Sequence, residues 1–190
     1  MKIQLLSDLH LESNPGFAPQ PAPQADVLVL AGDIGSYQSG SALPLLDDPD
    51  FGLGRFSPRR GWPTPVLFVP GNHEYDNMDF DEAHARLRET CERLGITWLE
   101  REVVVVQGVR FVGTTLWTDF EALVPQGAPL AQQLKARDKA WRAANFYLRK
   151  NTTLRGGEPV LAAQMQGLGQ ACQQWLRDAL AQPFEGPTVV

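Results

Sequence analysis

A single α/β domain built on mixed sheets is the fold this chain predicts, on three observations. Short apolar runs at residues 2–7 (KIQLLS), 26–31 (DVLVLA) and 65–69 (PVLFV) lack alternation at their centres and read as strands covered on both faces. Helical periodicity recurs at 79–94, 130–148 and 161–180. Between the first and second of these helices lies a hairpin pattern, 103–106 and 109–114, joined through Gln107 and Gly108. At 190 residues, 43% hydrophobic and 21% charged, the chain suits one globular domain spanning 1–190.

The elements follow in order. The segment LESNPGFAPQPAPQA after the first strand carries Pro15, Pro19, Pro21 and Pro23, which excludes a long crossover helix because each proline removes a backbone donor. Residues 35–65 are broken by Gly and Pro in the same way, and FSPRRGWPTP reads as an ordered loop close to the functional end. The helix at 79–94 opens with Asp79 and Glu82 at capping distance, buries Phe80, Ala83, Leu87, Cys91 and Leu94 on one stripe, and stops at Gly95. A short strand is expected at 96–99. The third helix places Leu161, Met165, Leu168, Cys172, Trp175 and Ala179 on one stripe, and a last strand begins at 188–190.

Composition narrows the function. A net charge of -5 and a pI near 5.2 argue against a generally basic nucleic-acid binder. MKIQLL runs directly into polar SDLHLE, with no signal-peptide pattern and no long apolar span, so a cytoplasmic protein that does not enter a membrane is expected. Cys91 and Cys172 lack any metal-binding spacing and sit on apolar stripes, which makes them buried free thiols.

The chemistry gathers where the three strands end. The first run delivers Asp8 and His10, the second Asp33 behind Gly32, and the third Asn72, His73 and Glu74 behind Pro70 and Gly71. Asp8 and His10 are two residues apart, so an extended backbone would point both to one side, where they could grip one ion. Oxygen donors with imidazole suit manganese, iron or zinc better than calcium. A carboxylate such as Asp33 can bridge two ions, and Asn72 is a neutral oxygen ligand. His73 lies beside them, placed to donate a proton or stabilise charge on a leaving oxygen, with Glu74 expected to fix its tautomer.

These segments, Asp8-Leu9-His10, Gly32-Asp33 and Gly71-Asn72-His73-Glu74, resemble the first three motifs of the calcineurin-like metallophosphoesterase superfamily, in order and with plausible separations. LVLAGDI, VPGNHEY and VGTTLWTDF extend the resemblance along the chain. It implies a sandwich of two mixed β-sheets flanked by helices around two divalent metals. It further implies hydrolysis of phosphoric mono- or diesters by a metal-bridging hydroxide, on a phosphorylated small molecule or nucleotide. By the same resemblance Asp8 and His10 bind the first metal, Asp33 bridges, Asn72 binds the second, and His73 is the acid, with Glu74 standing where many members have Asp. The family's later histidine motifs have no counterpart among His10, His73 and His84. A C-terminally truncated, impaired enzyme with an incomplete second sheet is therefore expected. The alternative is a non-catalytic remnant that binds or oligomerises through the open sheet edge.

Other residues read more plainly. His84, on the polar side of its helix near Arg88, is expected to be solvated. The basic stretch Lys135, Arg137, Lys139, Arg142, Arg149, Lys150 and Arg155 reads as a solvated, ion-paired helix face. Arg59 and Arg60 are the better candidates for phosphate contact.

Overall fold

The computed structural model describes residues 1–151 and 153–190. Four parallel strands, β1 (Ile3–Leu6), β2 (Val27–Ala31), β3 (Val66–Val69) and β4 (Thr97–Trp98), form a sheet in that order. No helix separates β1 from β2, as the prolines require, and only short 3-10 turns interrupt the route to β3. The hairpin of β5 (Glu102–Val106) and β6 (Val109–Gly113) is antiparallel, and β9 (Thr188–Val189) adds to β6 in parallel, so the second sheet is mixed.

Side chains of the first sheet alternate cleanly. Leu28, Leu30, Val66 and Phe68 face one side, where Ala83, Leu87, Cys91 and Leu94 of helix α1 (Phe80–Leu94) complete the main core. Val27 and Leu67 face the other side and meet Phe111 and Val109 of the second sheet. Strands β2 and β3 are thus buried on both faces, which is why their sequences show no alternation. Asp79 caps α1 by accepting from the Asp81 N–H at 3.0 Å, and Gly95 ends it at φ 71°.

The two sheets do not close completely on one another. A cavity of about 1060 Å³, lined mainly by apolar groups from Val29, Val69, Phe111, Met165 and Val189, runs between them, with Gly71 and Asn72 at its wall. Ile3 and Leu5 remain 40% and 63% exposed on the edge strand β1. Helix α3 (Ala162–Ala181) packs by Cys172 and Gly169 against the backbone leaving β6, and α2 (Leu130–Asn151) lies outside it with no buried residue among those described. Arg110 of β6 holds the end of the chain: its guanidinium donates to Gln182 O at 2.7 Å and to Thr188 Oγ1 at 3.0 Å. None of these helices is long and apolar enough to cross a membrane. Both cysteines are free and buried.

Several expectations change. β4 is only two residues long, although Ile96 and Leu99 beside it are buried. A small hairpin, β7 (Leu154–Arg155) with β8 (Glu158–Pro159), was not anticipated from alternation because its arms are too short to display any. Its Gly156-Gly157 turn, both residues at positive φ, was the available signal. Arg59 and Arg60 lie at the wrong end for phosphate contact. A helix joining parallel strands must run back against them, so the C-terminus of α1 sits at the opposite end from the strand carboxyl ends. There Ser57 Oγ donates to Leu94 O at 2.6 Å, Arg59 to Arg93 O at 3.0 Å, and Arg60 pairs with buried Asp50 at 3.0 Å. Three members of the basic stretch are ion-paired, Arg137 with Glu121, Arg142 with Asp138 and Arg155 with Asp81.

Phe68 is fully buried between β2 and α1. Phe68→Ala should lower unfolding free energy by about 3–5 kcal/mol in urea titration, whereas Val105→Ala, on the exposed side of the hairpin, should change it by less than about 0.5 kcal/mol.

Candidate metal centre

Beyond the last ladder pair, Leu6 with Leu30, the chains leaving β1 and β2 stay zipped by backbone bonds. Asp8 N–H donates to Gly32 O at 3.0 Å, His10 N–H to Asp33 O at 3.0 Å, and Leu11 N–H to Ile34 O at 2.9 Å. Asp8, His10 and Asp33 occupy the left-handed region, at φ 53°, 46° and 53°. The expected extended alternation of Asp8 and His10 therefore does not occur, because β1 has already ended at Leu6. Three non-glycine residues in this region mark backbone held in place by its surroundings.

The third loop is drawn against the second by two glycines. A Cβ on Gly32 would lie 2.7 Å from Gly71 Cα, and a Cβ on Gly71 would lie 2.2 Å from Asp33 Oδ1. His73 N–H donates to that same oxygen at 2.9 Å. The outcome is a cluster in which ligand atoms of His10, Asp33 and His73 lie within 4.8 Å of one another, with the two imidazoles edge to face at 5.0 Å.

Each imidazole is oriented by a buried carboxylate. His10 Nδ1 lies 2.9 Å from Glu12 Oε1, and His73 Nδ1 lies 2.6 Å from Asp76 Oδ2. The Nε2 atoms are thereby left for the centre, the arrangement that typically fixes tautomer and ring plane in metal-bearing sites. Glu12 Oε2 is buried without a partner, so negative charge around the cluster is not fully compensated by protein donors. A donor set of imidazole and carboxylate in an acidic setting fits a divalent cation. His73 is pushed up to about 9, first by its hydrogen bond to Asp76 and against burial, with Asp76 and Asp33 charges adding. In the metal-free chain this favours the imidazolium form of His73.

Glu74 takes a different position from the one expected. Fully buried, it does not fix the His73 ring, a task that falls to Asp76. Its carboxylate instead accepts from Ile34 N–H at 2.6 Å, Gly71 N–H at 2.7 Å and Asp33 N–H at 3.1 Å, joining the second loop to the third. The 3-10 turn His73–Tyr75 explains the exchange, since it directs successive side chains apart while bringing residue i+3 back beside residue i. Burial, then the Asp33 charge, raises the Glu74 carboxyl to about 7 against the three backbone bonds.

The family model for calcineurin-like phosphoesterases matches residues 1–188. This chain belongs to the calcineurin-like phosphoesterase family. That family is one of metal-dependent phosphoesterases in general. A protein described as uncharacterized, from Acanthamoeba polyphaga mimivirus, is 30% identical over 60 residues, covering 28% of this chain. The match spans only 21% of that relative's length.

Among the acidic and imidazole groups of the family's motifs, the cluster holds His10, Asp33 and His73 and does not include Asp8, which is exposed, as is Asn72. Asn72 precedes the 3-10 turn and borders the intersheet cavity. His84 is only partly solvated: it is half-buried, edge-on to Trp98 at 5.1 Å, with Nδ1 3.2 Å from Tyr75 Oη. Burial first, then Arg101 and Arg88, lowers its pKa. Sequence reasoning passed over Glu12 and Asp76, two and three residues after their histidines, whose acidic character and short spacing were the signal. Thr115, whose hydroxyl anchors Pro70 O at 2.6 Å, had no local signal because the contact spans 45 residues.

Glu74→Ala leaves three N–H groups without an acceptor and should destabilise the fold by about 3 kcal/mol or more, read by chemical denaturation. For His73 the folded pKa, about 9, exceeds the ordinary 6.5, so its contribution is complete below pH 6.5 and lost as pH rises through about 9. Melting curves of the metal-free chain should decline across that window, and His73→Ala should flatten the decline.

Proposed function

We propose that this chain hydrolyses phosphoric mono- or diesters with a divalent cation, manganese, iron or zinc, held by His10 and Asp33 with Asp8 and Asn72 as flanking ligands. One observation carries the reading: His10, Asp33 and His73 converge within 4.8 Å, and each imidazole has its Nδ1 committed to a carboxylate. Bound there, such a cation supplies Lewis-acid activation of water and neutralises phosphoryl charge.

The remaining steps belong to the protein's own groups. Asp33 presents its carboxylate from a loop fixed by Glu74 and holds the His73 backbone through Oδ1. Asp76 keeps the proton on His73 Nδ1 and stabilises the imidazolium, so that Nε2–H faces the cluster. From there it donates to the leaving oxygen as the phosphorus–oxygen bond breaks. The substrate class is a phosphorylated small molecule or nucleotide. The apolar cavity beside Asn72 offers room for the part of the substrate not being cleaved.

With manganese, turnover of 4-nitrophenyl phosphate or bis(4-nitrophenyl) phosphate should appear, vanish with chelator and fall to background in Asp33→Ala. His73→Ala should lower kcat by about 10²–10⁴-fold. Turnover that survives Asp33→Ala would overturn the reading.

A further inference from the structure

We infer that Thr153, on the small hairpin β7–β8, is a positioning residue for this reaction: its hydroxyl holds one oxygen of Asp76 while the other oxygen holds His73. The inference rests on the proposed role of His73 as acid. Thr153 Oγ1 donates to Asp76 Oδ1 at 3.2 Å, and Asp76 Oδ2 meets His73 Nδ1 at 2.6 Å. Asp76 is 3% exposed, so little water competes for either oxygen.

A carboxylate bound through one oxygen can still rotate about its own axis, and its hydrogen-bonded imidazole can tilt with it. Binding the second oxygen removes that freedom and fixes the plane in which Nε2 is presented. The other bonds of the hairpin explain why this hydroxyl has no anchoring task of its own. Leu154 N–H donates to Met78 O at 3.0 Å, and Gly156 N–H donates to Asp79 Oδ2 at 2.8 Å. Arg155 makes a two-pronged pair with Asp81, at 2.9 and 3.0 Å. All of these grip residues 78–81 and dock the hairpin without using the Thr153 hydroxyl. Of these partners, Asp76 is the one that touches His73.

The test compares Thr153→Val and Thr153→Ala, which remove the hydroxyl, with Thr153→Ser, which keeps it. In the chain without added metal, the His73 Nδ1 proton is followed by NMR. Its exchange with solvent should accelerate by about tenfold in the Val and Ala variants and return toward the original rate in Ser. With manganese and aryl phosphate, kcat should fall by about three- to tenfold while KM stays within about twofold. In an Asp76→Asn background, Thr153→Val should add no further loss. Unchanged Nδ1 exchange in both Val and Ala overturns the inference, whether or not the chain turns over substrate. So does a loss that simply adds to that of Asp76→Asn. Absence of Asp33-dependent turnover would instead overturn the proposed function and leave the NMR result to decide the role of Thr153.

Discussion

A single buried carboxylate, that of Glu74, sets the distance between the two loops on which the candidate centre is built. It accepts N–H groups from Asp33, Ile34 and Gly71, and the glycine contact between residues 32 and 71 permits the approach those bonds require. Burying a carboxyl is unfavourable, and its raised pKa records this. Three converging donors offset the cost, and in return the Asp33 side chain can reach the His73 backbone. Without that closure there would be strand ends bearing the right residues at the wrong separation.

The acidic residues around the site accordingly divide their tasks by surroundings. Glu74, with only backbone partners, is architectural. Glu12 and Asp76 face imidazoles and fix their planes. Asp33, half exposed at the middle, keeps an oxygen open toward the centre. Chemistry of the side chain alone does not separate these roles; the number and kind of donors within reach does.

How much was legible follows from the range of the interactions. β2, β3 and helix α1 could be read because their burial pattern is written in consecutive residues, from the unbroken apolar strands to the stripe Phe80, Ala83, Leu87, Cys91 and Leu94, whereas β1 was legible from its apolar run although Ile3 and Leu5 are exposed. The strand-end residues were equally visible, being delivered by those same strands. His84 was misread because its helix position looks polar until Trp98 from another element closes over it. Glu74 was assigned to its sequence neighbour, whereas its partners lie up to 41 residues away. Thr153 and Thr115 act across 77 and 45 residues, a separation at which sequence carries no local trace. Arg59 and Arg60 follow the second motif in sequence, yet the path to β3 carries them to the far end of the sheet.

The two faces of the parallel sheet are unequal in this structure. The α1 side is packed with Phe68, Leu28, Leu30 and their neighbours, while the other borders open apolar space at Val29 and Val69. Asn72 therefore sits where a close-packed layer meets open apolar space.

The fastening of β9 by Arg110 has a consequence for the cost of closing the second sheet. The β5–β6 hairpin closes over a two-residue turn and pays little chain entropy, whereas β9 must return across 78 residues to find Arg110. Only two residue pairs reward it when it does. In chain entropy the hairpin is therefore the cheaper closure and β9 the costlier one. Arg110, by reaching past the ladder to Gln182 and Thr188, latches the costlier of the two closures.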